Sequence, residues 1–489
     1  MTSRKKTGII AGVGVGAAAA AALRRRWSGG REAGEVPTTA VAPAADGTAF
    51  LEHLAAAVRI PTMSSEDGFD PEPFTQFAAF LAQTYPLVHR SLHLEVVGGH
   101  TLFFTWEGSD PTTSPILLMA HQDVVPVEEG TEDDWEKPPF SGEVADGFLW
   151  GRGTLDDKGS LIAILEAVEA LLGEGFTPAS TVHLLFGHDE EVGGARGAAV
   201  VAEMLGERGV RLRFVLDEGG AVVSDLMPGV PPLGLIGIGE KASLDLEISA
   251  SGEGGHSSMP PPHTAVGRVA AAVKAIEDNP MPTRLGPQRE FFEVLASVSR
   301  GPRRWMLSRL EITGKLIERL LTRSHETNAL IRTTAAATVI RGGVKSNVLP
   351  QEASAIVNFR ILPGDTATGV IDHVRSVVGD EVRVRAIDFG KSSDPAPPSS
   401  TDTEGFHLIA STVGEVFPRA TPTPWILLGA TDSRYFTPIA DGVYRFAPFQ
   451  VTTEDLGRVH GTGERVRVAD AAAAVSFYRT LLIRAGGRS

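Results

Sequence analysis

The sequence contains no cysteine among its 489 residues. Disulfide bonds and thiolate metal ligands are therefore excluded, and any metal ion has to be held by histidine and carboxylate side chains. Positive charge is also scarce, because 45 Lys and Arg residues face 60 Asp and Glu residues, for a net charge of −15. Nucleic acid is excluded as a partner, since phosphate recognition requires clustered Lys and Arg side chains.

The apolar run near the N-terminus is compatible with a membrane anchor, an export signal or a cytoplasmic tail. It reads "TGIIAGVGVGAAAAAAL", Thr7 to Leu23, and is shorter than the roughly 20 residues of a membrane-spanning helix. Basic residues flank it on both sides, which leaves a membrane orientation open. We expect residues 1–47 to form an N-terminal apolar anchor or signal-like segment followed by a flexible linker. Membrane anchoring is favoured over an exported or a cytoplasmic form.

The rest of the chain predicts an α/β fold in two domains. The runs "PILLMA", "TVHLLFG" and "RFVLD" are continuously apolar, which is typical of strands buried on both faces of a mostly parallel sheet. From about residue 240 the pattern alternates, as in "SLDLEIS", which indicates strands with one solvated face. We therefore predict a catalytic domain at residues 48–238 plus 365–489, with a smaller α+β domain inserted at residues 239–364.

Polar residues follow four apolar runs, namely the three given above and "PWILLGA" before Thr431. They are His121 and Asp123, then Glu190 and Glu191, then Asp217, and finally Thr431 and Ser433. Any one of them alone is more simply a polar loop residue. Together they predict a site, because the carboxyl ends of parallel strands meet at one edge of the sheet.

Two further groups remain ambiguous from local sequence. Asp156 and Asp157 could be the N-cap of a following helix, and His460 could be an ordinary loop histidine. The three consecutive acids in "LLFGHDEEVGG" lie either on a solvated turn or against a metal ion, since buried like charges require a cation nearby.

Several motifs, taken in their order along the chain, resemble those of a known enzyme family. "HQDVVPV", "GRGTLDDKG", "GHDEEVGG", "LDEGG", "GGHSSMP", "GATDSR" and "VHGTGERV" resemble the zinc aminoacylase and carboxypeptidase metallopeptidases of clan MH. The chain is most similar to the branch of carboxypeptidase S and the secreted N-fatty-acyl-amino-acid synthase/hydrolase. The resemblance spans residues 50 to 485. It implies a catalytic domain that binds two zinc ions and a smaller lid domain of the kind that often mediates dimers.

The resemblance also implies residue roles. Five side chains would hold two Zn²⁺ ions per subunit: His121 and Asp217 at one ion, Glu191 and His460 at the other, and Asp156 bridging both. Asp123 would orient His121, Glu190 would be the general base, and the Asp156–Asp157 peptide bond would be cis. Co²⁺ or Mn²⁺ could replace zinc.

The smaller domain would complete the pocket. His256 would stabilise the oxyanion, and substrate would be held by Asn347, Arg360, Gly429, Thr431 and Ser433. The expected function is hydrolysis of an amide bond in a peptide or an N-acyl amino acid, next to a free carboxylate. The alternative is a catalytically silent binding or scaffold protein on the same fold. A homodimer through the lid domain is a further expectation.

Overall fold

The computed structural model describes residues 47–65, 68–387 and 394–486. The predicted N-terminal anchor and linker lie outside this range, apart from Gly47. Within it, no helix combines the length and the apolar character that crossing a bilayer would require.

Nineteen strands form four sheets within the described residues. Their bounds are β1 His93–Val97, β2 Thr101–Trp106, β3 Ile116–His121, β4 Glu143–Ala145, β5 Phe148–Trp150, β6 Val182–Gly187, β7 Phe214–Asp217, β8 Val222–Val223, β9 Leu233–Glu240, β10 Ala242–Ser251, β11 Gly255–His256, β12 Thr334–Gly342, β13 Val348–Leu349, β14 Glu352–Ile361, β15 Arg383–Ile387, β16 Thr421–Leu427, β17 Val443–Arg445, β18 Gln450–Val451 and β19 Arg465–Arg467.

The α-helices of the same residues lie between these strands. Their bounds are α1 Gly47–Val58, α2 Pro71–Thr84, α3 Pro86–Ser91, α4 Lys158–Gly173, α5 Ala198–Glu207, α6 Ala265–Asp278, α7 Arg289–Val298, α8 Gly301–Leu307, α9 Leu310–Leu321, α10 His325–Leu330, α11 Ala367–Val378, α12 Glu404–Val416, α13 Thr453–Leu456 and α14 Ala471–Gly486.

The large sheet has ten strands in the order β1-β2-β6-β3-β7-β17-β9-β8-β18, with β16 paired to β9. At its centre β3 pairs in parallel with both β6 and β7. Every residue of these three strands is buried, as expected for apolar strands covered on both faces. Helix α4 covers one face and is buried along most of its length. The predicted α/β fold with a mostly parallel sheet is confirmed.

The smaller sheet is antiparallel, in the order β12-β14-β10-β15. Buried residues alternate with more exposed ones along β10 and β14, because one face packs against α6 and α11 while the other faces solvent. Leu244, Leu246 and Val370 belong to this second core. The ribbon of β11 and β13 is separate from the four-stranded sheet.

Elements on both sides of the predicted domain boundary at residue 364 belong to the same small sheet and core. Helix α11 and strand β15 lie beyond that boundary, yet β15 hydrogen-bonds to β10 and α11 packs on the same small core. Conversely, Phe291 and Phe292 of α7 lie inside the predicted insert but join the core of the large sheet. The apolar pattern gave no sign of which sheet each helix would cover. The division into two domains stays a prediction.

Candidate metal centre and active site

The carboxyl ends of β3, β6 and β7 meet at one edge of the large sheet. His121 is the last residue of β3, Glu190 and Glu191 lie in a 3₁₀ turn just after β6, and Asp217 ends β7. Loops from elsewhere bring Asp156, just before α4, and His460 to the same edge. Residues far apart in the chain are therefore neighbours here, as the order of the motifs predicted.

His121 is held so that one ring nitrogen points into the cluster. Its Nδ1 lies 2.9 Å from the backbone oxygen of Asp123 and donates a proton to it, while the Asp123 carboxylate is 3.4 Å away. The other nitrogen, Nε2, faces the cluster and lies 2.9 Å from Asp156 Oδ1. An imidazole fixed in this tautomer is a ready metal ligand.

Asp123 also fixes the turn that carries the acids. Its two carboxylate oxygens accept hydrogen bonds from the backbone N–H groups of Glu190 at 3.2 Å and Glu191 at 3.1 Å. The Ser64 hydroxyl donates a third hydrogen bond at 2.6 Å. The turn is therefore tied to the end of β3 instead of lying free in solvent, which answers the question raised by its three consecutive acids.

Asp156 lies between the two histidines. Its Oδ1 is 2.9 Å from His121 Nε2, and its Oδ2 is 2.9 Å from His460 Nε2. His460 Nε2 is also 3.1 Å from Glu191 Oε2. The Asp156–Asp157 peptide bond is cis, as the resemblance implied. One carboxylate that faces a histidine with each oxygen has the arrangement expected of a bridging ligand.

A buried ion pair joins the two loops that carry Asp156 and His460. Glu464 Oε1 accepts hydrogen bonds from the backbone N–H groups of Gly153, Leu155 and Asp156 at 2.9–3.2 Å. Its Oε2 accepts from Arg152 at 2.8 Å, and Arg152 also donates to the Gly461 carbonyl. Both side chains are buried. Sequence analysis missed this clamp, because a glutamate four residues after a histidine has no distinguishing pattern.

The electrostatics of the cluster favour a bound cation. Burial raises the pKa of Glu190 and Glu218 well above the usual glutamate value, with the charge of Asp156 adding to the effect. Hydrogen bonds to Asp156 and Glu191 raise the pKa of His460 to about 10. Glu190 and Glu218 thus have too little positive charge beside them to stay ionised, and divalent ions would supply that charge.

The donor set fits a metal as well. His121, Asp156 and Glu191 offer ligand atoms within 4.8 Å of one another, and so do His121, Glu190 and Glu218. Glu191 Oε1 is buried and has no hydrogen-bond partner among the described residues. Imidazole and carboxylate groups of this kind suit zinc and related divalent ions.

Asp217 and Glu218 are neighbours in the chain but have different partners: Asp217 contacts Ser433, and Glu218 lies near His121. Asp217 is buried, and its Oδ2 accepts a hydrogen bond from the Ser433 backbone N–H at 3.0 Å. Glu218, which sequence analysis did not assign, places Oε1 3.8 Å from His121 Nε2. The structure therefore brings Glu218 into the donor group around His121, while the ligand role of Asp217 stays a prediction.

The loop after β16 packs against the acidic turn. Thr431 donates to the buried Glu240 through both its N–H and its hydroxyl, and the hydroxyl also lies 2.6 Å from that of Ser433. Arg434 donates to the carbonyls of Thr431 and Gly193, which ties this loop to the turn after β6. Gly429 faces open space and is exposed. Of the three residues predicted in this loop, Gly429 is the most accessible to a ligand.

The residues predicted from the smaller domain are exposed, unlike most of this cluster. His256 and Asn347 sit at the ribbon of β11 and β13, and both are exposed. The recorded hydrogen bond of the His256 ring is with the backbone N–H of Ser258. Arg360 is exposed on β14. No ion pair joins these three side chains to the metal-site residues within the described part of the chain.

Comparison with known proteins identifies the family. The sequence pattern described as peptidase family M20/M25/M40 matches residues 117–484. The chain belongs to this family. It is 38% identical over 441 residues to a probable carboxypeptidase S-like protein of Dictyostelium discoideum, covering 88% of this chain and 84% of that protein. It is 40% identical over 440 residues to the N-fatty-acyl-amino acid synthase/hydrolase of Xenopus tropicalis, covering 88% and 85%.

Solved structures agree on the fold. An M20 family metallo-carboxypeptidase from Sulfolobus solfataricus superposes with a TM-score of 0.66 at 18% sequence identity, covering 88% of this chain and 98% of that one. The predicted resemblance is confirmed, and so is the prediction that the chain is an enzyme of the metallopeptidase type. Members of the family depend on metal ions, in keeping with the donor groups described above.

Proposed function

We propose that this enzyme hydrolyses the amide bond of a peptide or an N-acyl amino acid next to a free carboxylate, with two Zn²⁺ ions. The observation that carries the proposal is the position of Asp156 between His121 and His460, 2.9 Å from each. Glu190 stands beside this group on a turn that Asp123 fixes. The same set supplies ligands and a base in one place.

The metal ligands follow from these contacts. Asp156 would be shared by the two ions, His460 and Glu191 would hold one of them, and His121 would hold the other together with the buried Asp217. When bound, the ions polarise the substrate carbonyl and lower the pKa of a water molecule toward about 7. Co²⁺ or Mn²⁺ in place of zinc remains compatible with these ligands.

Glu190 is the group that moves the proton. Burial raises the pKa of its carboxyl, and positive charge close by would bring it back toward the range in which a general base works. Glu190 accepts a proton from the attacking water and then delivers it to the nitrogen of the leaving amine. Its backbone N–H is held by Asp123, so the carboxylate starts from a fixed position.

Substrate recognition is assigned to the exposed groups around the site. Arg360 offers a guanidinium that can grip a carboxylate through two parallel hydrogen bonds. His256 donates to the oxygen that becomes negative in the transition state, and Asn347 lies beside it. The names of the relatives, a carboxypeptidase S-like protein and an N-fatty-acyl-amino acid synthase/hydrolase, support peptides and N-acyl amino acids as the two substrate classes.

A substrate screen by mass spectrometry tests the proposal. Full-length protein loaded with zinc is incubated with dipeptides, N-acetyl amino acids and long-chain N-acyl amino acids, and each substrate is paired with its carboxamide, which lacks the free carboxylate. We expect release of a free amino acid from at least one class, and little from the carboxamides. Glu190→Gln protein with unchanged zinc content is the matched control. No cleavage of any substrate by the zinc-loaded enzyme would favour the silent binding protein instead.

A further inference from the structure

Helices α8 and α9 present an apolar surface that the hydrolase site does not use. Ile312 is 77% exposed, Trp305 52% and Leu316 51%, and Leu320 is exposed as well. Ile312, Leu316 and Leu320 follow one another at intervals of four residues, so they form one stripe along α9. On the side of the helix next to this stripe, Thr313 and Ile317 are buried against the protein. Isolated exposed apolar residues are common, but a continuous stripe of this kind marks an interaction surface.

Positive charge is concentrated around the same stripe. Residues 300–323 carry seven basic side chains against two glutamates, a net charge of +5 within a chain whose net charge is −15. The basic residues are Arg300, Arg303, Arg304, Arg309, Lys315, Arg319 and Arg323. None of them forms an ion pair within the described ranges 47–65, 68–387 and 394–486. Arg309 instead lies over the ring of Trp305, 5.5 Å from its centre. Arg303 is half-buried and donates to the Pro228 carbonyl, whereas the other six side chains are exposed and available to an external partner.

We propose that this surface, Trp305 together with the exposed face of α9 and its basic flank, docks on an anionic lipid bilayer. Leu and Ile on one side of a helix, Lys and Arg beside them and a tryptophan at the edge are the features of a helix that lies in the plane of a membrane interface. Lys and Arg near the surface add attraction to anionic headgroups. The rest of the acidic chain would be repelled, so the charges orient the molecule with α9 toward the lipid.

A second copy of the chain is a poorer occupant of the surface. A twofold contact would place the same seven basic side chains of two molecules opposite each other, and like charges facing each other oppose association. Binding to lipid does not depend on hydrolysis, so the proposal stands or fails independently of the proposed function.

Quenching of Trp305 by brominated lipid tests the docking in the full-length protein. Vesicles of brominated phosphatidylcholine with or without phosphatidylglycerol are compared, because residues 1–46 could hold the chain on a vesicle without α9. We expect phosphatidylglycerol vesicles to quench wild-type fluorescence, and Trp305→Phe to remove most of that quenching. Equal quenching of wild-type and Trp305→Phe protein would overturn the proposal. Equal quenching with and without phosphatidylglycerol would overturn the part assigned to charge.

Two double variants separate the surface from general effects of added charge. Ile312→Glu with Leu316→Glu should weaken partition to phosphatidylglycerol vesicles about tenfold and abolish quenching of Trp305. The matched control, Val96→Glu with Val144→Glu, changes residues of similar exposure on strands β1 and β4 and should bind as wild type does. Far-UV circular dichroism and the midpoint of urea denaturation report that each variant is folded. Loss of a dimer in the α9 variant without lipid, seen by sedimentation, would assign the surface to a second copy and overturn the proposal.

Discussion

The two parts of the predicted active site are built in opposite ways. At the edge of the large sheet, His121, Asp123 and Glu464 are buried, and each has partners that fix its orientation. At the ribbon of β11 and β13, His256 and Asn347 are exposed, and the ribbon itself contains only two paired positions. Both parts belong to the same predicted mechanism, but only the first is assembled by its own packing.

The contrast indicates a division of labour. Carboxylate ligands a few ångströms apart repel one another. Their side chains therefore have to be held in place by other contacts before the metal binds. Groups that contact the substrate can be mobile, because closure around a ligand completes the site. We therefore expect substitutions of the metal ligands and their buried supports at the sheet edge to affect metal binding and folding, whereas substitutions at the ribbon should affect turnover alone.

Glu190→Gln should have the largest effect on turnover. The amide keeps the shape of the side chain but cannot accept the proton of the water, so kcat should fall by about 10²–10⁴-fold. Metal content, measured by elemental analysis, should remain that of the wild type. Retained turnover with full metal occupancy would contradict the assignment of Glu190 as the base.

Glu464→Ala should have the largest effect on stability. It leaves the buried Arg152 guanidinium without its counter-charge, which typically costs about 3–5 kcal/mol. Urea denaturation measures this loss. The paired variant Arg152→Met with Glu464→Leu removes both charges and should recover much of the stability.

The zinc affinity of the paired variant shows whether Glu464 positions the loop that carries Asp156 or only stabilises the fold. The backbone N–H groups of Gly153, Leu155 and Asp156 still lack their acceptor in it, so zinc should bind more weakly than in the wild type although the fold is restored. Wild-type zinc affinity in the paired variant would show that Glu464 only stabilises the fold.

The polar residues at the sheet edge could be predicted from the sequence, whereas the residues that hold them in place could not. The reason is that only the first group has a signal in its own segment. Buried parallel strands are apolar along their length and end in polar residues, so the ends at His121, Glu190 and Asp217 could be predicted together to meet at one edge. Glu464 and Ser64 act through contacts with residues remote in the chain, and nothing in their own segments marks them. The boundary at residue 364 stays a prediction, and the pairing of β15 with β10, over a hundred residues earlier, has no signal in either segment alone.

His256→Ala tests the other half of the comparison. Loss of an oxyanion donor should lower kcat by about 10²–10³-fold. Because His256 is exposed and makes a local contact with Ser258, the unfolding midpoint and the zinc content should not change. A variant that lost metal would show that the ribbon belongs to the fixed part of the site after all.

Arg360→Lys should have a smaller effect, confined to substrates with a free carboxylate. Lysine keeps the charge but cannot form the two parallel hydrogen bonds, so we expect KM to rise about tenfold with little change in kcat. The measurement compares an N-acyl amino acid with its carboxamide. An equal rise in KM for both would indicate that Arg360 supports its own sheet instead of binding the carboxylate.

The pH dependence of zinc affinity should show the smallest effect, a change in the slope of affinity against pH. The metal-free His460 has a pKa of about 10, so a zinc ion must displace its proton at any lower pH. Affinity should therefore rise with pH, by about tenfold per unit for each proton released. Competition with a chromogenic chelator between about pH 6.5 and 8.5 measures the slope. His460→Asn should lower the slope by one proton, whereas His256→Ala should leave it unchanged, because His256 is not in the predicted ligand set. An unchanged slope in His460→Asn would remove His460 from the ligand set.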